Sequence, residues 1–71
     1  MVFKPNTCYR HINCIDVDFI FVNILGETES YLSVILIPWH RSLKARITNP
    51  FVAQVKKEDF SKWREISLYE N

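Results

Sequence analysis

The sequence contains a single glycine, Gly26, and no apolar stretch as long as a membrane-spanning helix. P-loops and dinucleotide-binding fingerprints each need several glycines so that the backbone can approach phosphate closely, and both motifs are therefore excluded. A bilayer span takes roughly 18 uninterrupted apolar residues, so no membrane partner is expected. Residues 1–5 lack the apolar run of a signal peptide, which predicts a cytoplasmic location.

Catalytic motifs are also missing from the sequence. It has no HExxH motif and no nucleophile elbow, so we expect a protein that is not an enzyme and has no cofactor and no small-molecule substrate. Asp16 and Asp18 lie two apart on an expected strand and could share a proton or bind a cation. Solvent exposure at the start of the strand is the interpretation that we favour.

Cysteine is scarce, with only Cys8 and Cys14. In a reducing compartment these are expected to be free thiols, and a short disulfide between them is the alternative. His11 lies between them, and His40 could complete a set of four zinc ligands. The spacing contains no CxxC knuckle, so we expect no metal and keep a zinc-stabilised mini-domain as the least favoured interpretation.

The composition predicts one small folded domain over residues 1–71. Hydrophobic residues make up 48% of the chain, charged residues 24% and aromatic residues 14%. Large rings bury much area per residue, which allows a short chain to build a core.

Two β-rich segments dominate the hydrophobic pattern. Residues 16–25 and 31–39 are dense in β-branched and aromatic side chains without a helical period, and residues 26–29 between them form a turn signal. They predict a hairpin. Both strands are apolar on both faces, so the sheet is expected to curl into a small barrel or to have its second face covered by another copy of the chain, and the two solutions can coexist.

Shorter elements surround this hairpin. Residues 9–12 could form a strand before it, and residues 43–48 and 51–55 alternate as a third and a fourth strand. Phe60 and Trp63 are spaced as in one helical turn, and residues 66–69 would close the fold. The sequence therefore predicts an all-β barrel of about five strands. The alternative is an α+β fold in which residues 50–67 form one helix with Asn49 as its N-cap.

The charges are sorted along the chain. Residues 15–30 carry four acids and no Lys or Arg, whereas residues 30–57 carry five bases and no acid. A positive groove with stacking rings is typical of proteins that bind single-stranded nucleic acid. The candidate binding residues are Trp39, His40, Arg41, Lys44 and Arg46, with Tyr9 and Arg10 as a second patch. If residues 43–48 are a strand, Ser42, Lys44 and Arg46 point the same way.

Two end segments frame the chain: PNTCYRH at residues 5–11 and KEDFSKWREI at residues 57–66. In these segments and in its layout of five strands with one helical turn before the last, the chain resembles the small uncharacterised SH3-like proteins encoded by large tailed bacteriophages, including those of cyanobacteria. The resemblance implies an SH3-like barrel in the host cytoplasm. It carries over no functional residues, because the features of peptide-binding SH3 domains are not identifiable and fold alone does not give function.

These observations predict a non-catalytic binding module. The favoured hypothesis is association with a protein partner or with itself as a homo-oligomer through the apolar hairpin. The alternative is a nucleic-acid-binding module that uses residues 39–46.

Overall fold

The computed structural model describes residues 3–66, and in that part the chain forms six strands and one short 3₁₀ helix. The strands are β1 (Thr7–His11), β2 (Val17–Glu27), β3 (Tyr31–His40), β4 (Ala45–Arg46), β5 (Phe51–Lys56) and β6 (Trp63–Ile66), and the 3₁₀ helix is Lys57–Lys62. Within residues 3–66 no helix is long and apolar enough to cross a membrane.

All of the strand pairs are antiparallel and belong to one sheet. Its order is β4-β3-β2-β1-β6, and β5 pairs with β3 beyond the end of β4. The 3₁₀ helix connects β5 to β6, so the chain passes from one edge of the sheet to the other. The small all-β fold with one helical turn before the last strand is confirmed.

The long hairpin of β2 and β3 bends because its register is interrupted twice. Register shifts occur between Phe21 and Asn23 and between Ile24 and Gly26. Each extra residue increases local twist and bends the strand. The inner face of this hairpin supplies Phe21, Val34 and Leu36 to the core.

The inner face of the sheet forms the hydrophobic core. Phe21 and Val34 are almost completely inaccessible, and the rings of Phe3 and Phe21 stack with centroids 5.5 Å apart. Trp63 packs against the edge of this cluster. The core consists of Phe3, Tyr9, Phe21, Leu32, Val34, Leu36 and Val55.

The outer face also buries apolar groups in the middle of the sheet. Ile66, Cys8, Ile20 and Ile37 are register partners in sequence across β6, β1, β2 and β3. Because partners on antiparallel strands project from the same face, these four side chains form one row. All but the half-buried Ile20 are buried. Some of the apolar side chains on the outer face of the hairpin are therefore buried within the monomer.

Strand β3 changes its neighbour at Pro38. Residues Tyr31 to Leu36 pair with β5, whereas Trp39 and His40 pair with β4. Proline has no backbone N–H to donate, so a strand tolerates it where ladder pairing is interrupted. Pro38 lies in that gap and accepts a hydrogen bond from the Ile47 N–H at 3.0 Å.

The structure corrects three details of the sequence-based assignment. The alternative helix over residues 50–67 is wrong, because residues 51–56 alternate against β3 as a strand and only Lys57–Lys62 is helical. The expected strand over 43–48 is reduced to Ala45–Arg46, since the chain turns tightly through residues 41–44. The turn expected at 26–29 lies later, because β2 continues to Glu27. Of the closing segment 66–69, only Ile66 lies within the described residues.

We expect Gly26→Ala to raise the free energy of unfolding by about 0.5–1 kcal/mol. Gly26 has no left-handed φ, and a Cβ added there would have no other atom within 4 Å, so alanine fits without a clash. Alanine also loses less backbone entropy on folding than glycine does. Urea denaturation measures the change. Ser33→Gly, at the register partner of Gly26, serves as the control and should lower stability by a similar amount. An unchanged or lower stability of Gly26→Ala would show that the glycine is required.

Candidate functional site

Arginines are concentrated in one row across the outer face. Arg64 on β6 is the register partner of Arg10 on β1. Trp39 on β3 is the register partner of Asp18 on β2 and, on its other side, of Arg46 on β4. Direct hydrogen bonds between Arg10 and Asp18 connect the two halves. Five neighbouring strands thus carry three arginines, one tryptophan and one aspartate in a line, which we call the arginine row.

The Asp18 carboxylate lies at the centre of this row and is held by two guanidinium groups. Arg10 donates from Nε at 2.9 Å and from Nη2 at 3.1 Å, and Arg41 donates from Nε at 3.2 Å and from Nη2 at 2.9 Å. Both carboxylate oxygens accept from both arginines. Bidentate arginine–carboxylate pairs are strong and fix the orientation of the guanidinium plane. The arrangement therefore holds both arginines at fixed positions.

Asp18 corrects the expectation that Asp16 and Asp18 are both exposed acids at a strand end. Asp18 is only 3% exposed. Burial by itself raises the pKa of its carboxyl group, but the hydrogen bonds from Arg10 and Arg41 outweigh it, so the pKa lies below the usual value of 3.8. Asp16 is exposed and precedes β2 with a left-handed φ of 64°. Its carbonyl oxygen accepts the Arg41 N–H at 2.7 Å.

A groove of about 460 Å³ opens beside the arginine row. Four of its lining residues carry a permanent positive charge, and among the described residues that line it there is no carboxylate. We call it the basic groove. Its lining includes Arg10, Arg41, Lys62, Arg64, His11 and Cys14.

Among the described residues, two acids form ion pairs with the cations of this groove. Asp18 pairs with both Arg10 and Arg41, and Lys62 pairs with Asp59 at 3.2 Å on the 3₁₀ helix. Arg64 has no ion pair among residues 3–66, although it lies directly opposite Arg10. The described lining of the basic groove is therefore positively charged.

Residues 39–46 lie at the same end of the sheet as the basic groove, but most of them do not form the strand that the sequence predicted. Trp39 and Arg46 extend the arginine row, and Arg41 joins Asp18. Lys44 lies in the tight turn with a left-handed φ of 52°, so it does not alternate with Arg46 along a strand. His40 accepts the Leu43 N–H at Nδ1, at 3.1 Å, and so stabilises this turn.

The two residues of the second candidate patch lie on opposite faces of the sheet. Tyr9 faces the core and is 1% exposed, and its hydroxyl oxygen accepts the Lys4 N–H at 2.7 Å. A surface role for Tyr9 is therefore wrong. Arg10, the next residue on the strand, faces outward into the basic groove. Lys62 and Arg64 were missed by the sequence-based prediction, and their positions on either side of Trp63 were a signal that could have indicated them.

A second concavity of about 340 Å³ adjoins the basic groove on the inner side of the sheet. The Phe19 ring lies 6.3 Å from Phe51 and 5.7 Å from Trp63, measured between centroids, at steep interplanar angles of 72° and 63°. We call it the aromatic pocket. Its lining includes Phe19, Phe51 and Trp63 together with Leu36, Ala53 and Val55.

Three residues line both the aromatic pocket and the basic groove: His11, Cys14 and Trp63. His11 and Trp63 are register partners whose rings meet edge to face with centroids 4.8 Å apart. The two concavities are therefore neighbours that share one wall of rings, and one extended ligand could occupy both.

Both cysteines are free thiols. Burial, followed by the nearby Asp18 charge, raises the pKa of Cys8 to about 11, so this thiol is neutral near pH 7. Within residues 3–66 no three His, Cys, Asp or Glu side chains are grouped so that they could hold a metal ion. The zinc ligand set Cys8, His11, Cys14 and His40 is accordingly not assembled.

Comparisons of the chain with protein-family models, with curated proteins and with solved structures found no match. The resemblance to SH3-like proteins of tailed bacteriophages stays a prediction.

We expect Asp18→Asn to lower the free energy of unfolding by about 2 kcal/mol at pH 7. Removing one partner of a buried ion pair leaves the other partner's charge uncompensated, and the partial exposure of the two arginines limits the loss. Asp59→Asn is the matched control and should cost less than about 1 kcal/mol, because its ion pair is far more exposed than that of Asp18. Urea denaturation of both variants measures the difference.

The difference in the free energy of unfolding between the natural protein and Asp18→Asn should also depend on pH. The pKa of Asp18 is lowered in the folded state, so its contribution is complete above the unfolded value near 3.8 and is lost as the pH falls through the folded value. Denaturation between pH 7 and pH 2 should show the two proteins converging only below about pH 4. A difference that is constant over this range would contradict the role of the carboxylate charge.

Proposed function

We propose that the protein is a non-catalytic module that binds nucleic acid through the basic groove and the arginine row. The observation that carries the proposal is a groove whose described lining holds four Arg and Lys side chains and no carboxylate. Phosphate groups supply the negative charge that it lacks, and arginine binds them bidentately.

The extent of the positive surface favours a polymer over a single small anion. From Arg64 on β6 to Arg46 on β4 the row crosses four strand spacings, or about 19 Å at roughly 4.8 Å each. Several phosphates along a backbone can contact such a row at once, because they are spaced more closely than its length. The exposed Lys44 adds a further charge at the β4 end.

The proposal is tested by titrating the protein with a fluorescent oligonucleotide at two salt concentrations. Binding should be strongest at low salt and weaken steeply as salt is added, because phosphate contacts release condensed counterions. If no binding is detected at low salt, the proposal is wrong.

We expect Arg64→Ala to weaken oligonucleotide binding about three- to tenfold and to reduce the salt dependence by the equivalent of about one phosphate contact. The same substitution should leave the free energy of unfolding unchanged or raise it by a few tenths of a kcal/mol, because the repulsion with Arg10 is removed. Fluorescence anisotropy and urea denaturation measure the two effects.

Lys4→Ala is the matched control for the loss of one charge. Lys4 pairs with Glu65 at 3.4 Å on the exposed surface and does not line the basic groove. It should change binding by less than about twofold, because a charge outside the contact surface is largely screened. Equal losses in both variants would indicate non-specific attraction, and a loss of stability in Arg64→Ala would assign Arg64 a structural role.

A second candidate function is association with a protein partner or with another copy through the far end of the hairpin. Ile24, Leu25 and Val52 are exposed there. Strand β1 pairs with β2 only through Phe19, Ile20 and Phe21, so in the described structure the edge of β2 is unpaired from residue 23 to 27. An exposed edge with apolar neighbours is a template for strand addition.

For this second function we expect the protein to self-associate at high concentration and Leu25→Lys to shift it to a monomer. A lysine on an exposed edge opposes strand pairing and removes apolar contact area. Sedimentation velocity over a hundredfold range of concentration measures the change, and Ile12→Lys, at an exposed residue away from the hairpin, is the control. A natural protein that stays monomeric and gives a low signal with an apolar dye would exclude self-association.

A further inference from the structure

We propose that the preferred ligand is a single strand, and that one of its bases leaves the stack and enters the aromatic pocket while the adjoining phosphates lie in the basic groove. This inference rests on the proposed function. It follows from the shared wall of His11, Cys14 and Trp63, which places an apolar, ring-lined cavity immediately beside a positively charged one.

The pocket has the chemistry that a base requires. Phe51 is 39% exposed at the pocket, so its side chain is accessible to a ligand from outside. Stacking on such a face accepts every base and strengthens binding to single strands. Gln54, Lys56 and Asp59 also line the pocket and offer donors and acceptors to the polar edge of a base.

The neighbouring charges decide between a base and other apolar occupants. A hydrophobic peptide side chain would fill the pocket equally well, but the groove beside it is lined by four cations. Nucleic acid presents a flat apolar group and an anion on every residue of the chain. A duplex keeps its bases stacked and paired, so entry of a base into the pocket carries an unpairing cost that a single strand avoids.

Three probes of equal length distinguish base binding in the aromatic pocket from phosphate binding in the basic groove. They are a 12-nucleotide single strand, the same strand with abasic sites, and a 12-base-pair duplex. The natural protein should bind the base-bearing strand about tenfold more tightly than the abasic strand, because stacking of a single base is lost. It should also prefer that strand to the duplex. The readouts are fluorescence anisotropy and quenching of tryptophan emission.

Phe51→Leu tests the pocket directly. Leucine keeps an apolar side chain at this exposed strand position but removes the ring, so the preference for the base-bearing strand over the abasic strand should fall to within about twofold. Binding of the abasic strand should be unchanged. Phe51→Trp should restore the preference. Tyr31→Leu, at a similarly exposed aromatic residue that does not line the pocket, is the matched control and should keep it.

The outcomes distinguish this inference from the function on which it depends. Equal affinity of the natural protein for the base-bearing and abasic strands, or an unchanged preference in Phe51→Leu, would overturn base insertion and leave phosphate binding intact. Absence of binding to all three probes at low salt would overturn both. A preference for the duplex would likewise overturn the inference.

Discussion

The basic end of the molecule depends on one buried carboxylate. Asp18 on β2 accepts hydrogen bonds from Arg10 on β1 and from Arg41 in the turn after β3, and it thereby connects three separate segments of the chain. The backbone repeats this connection, because the Asp16 carbonyl accepts from the Arg41 N–H. Both guanidinium groups are held at the surface in fixed orientations before any ligand arrives. Side chains ordered in advance lose little entropy on binding.

Much of the fold could be predicted from the sequence because its strongest signals are local. The β-branched runs around Phe21 and Val34 and the polar residues between them indicated the hairpin, and the three-residue spacing of Phe60 and Trp63 indicated the helical turn. The extent of β4 could not be predicted. Alternation of Leu43, Ala45 and Ile47 is the pattern of a strand, but the tight turn after β3 determines where pairing can begin.

The candidate site was predicted only in part, because its key contacts are not local. The sequence pattern indicated that Asp18 is a solvated acid. No local pattern in the sequence shows that it contacts the arginines 8 residues before it and 23 residues after it. Arg64 became part of the site only through the register of β6 with β1. Clustering of positive charge along the chain identified residues 39–46. It could not identify a groove that three separate segments build.

Strand β3 connects the two surfaces for which functions are proposed. Its ten residues run for about 33 Å, close to the longest dimension of 36 Å, with Tyr31 near the apolar end and Trp39 near the basic end. Occupancy of one end therefore leaves the other accessible. Two copies joined at their apolar ends would carry basic grooves at opposite extremities of one particle. Such a particle is bivalent, and on a long strand its second contact would form at high effective concentration, so modest affinity at each groove would be multiplied by avidity.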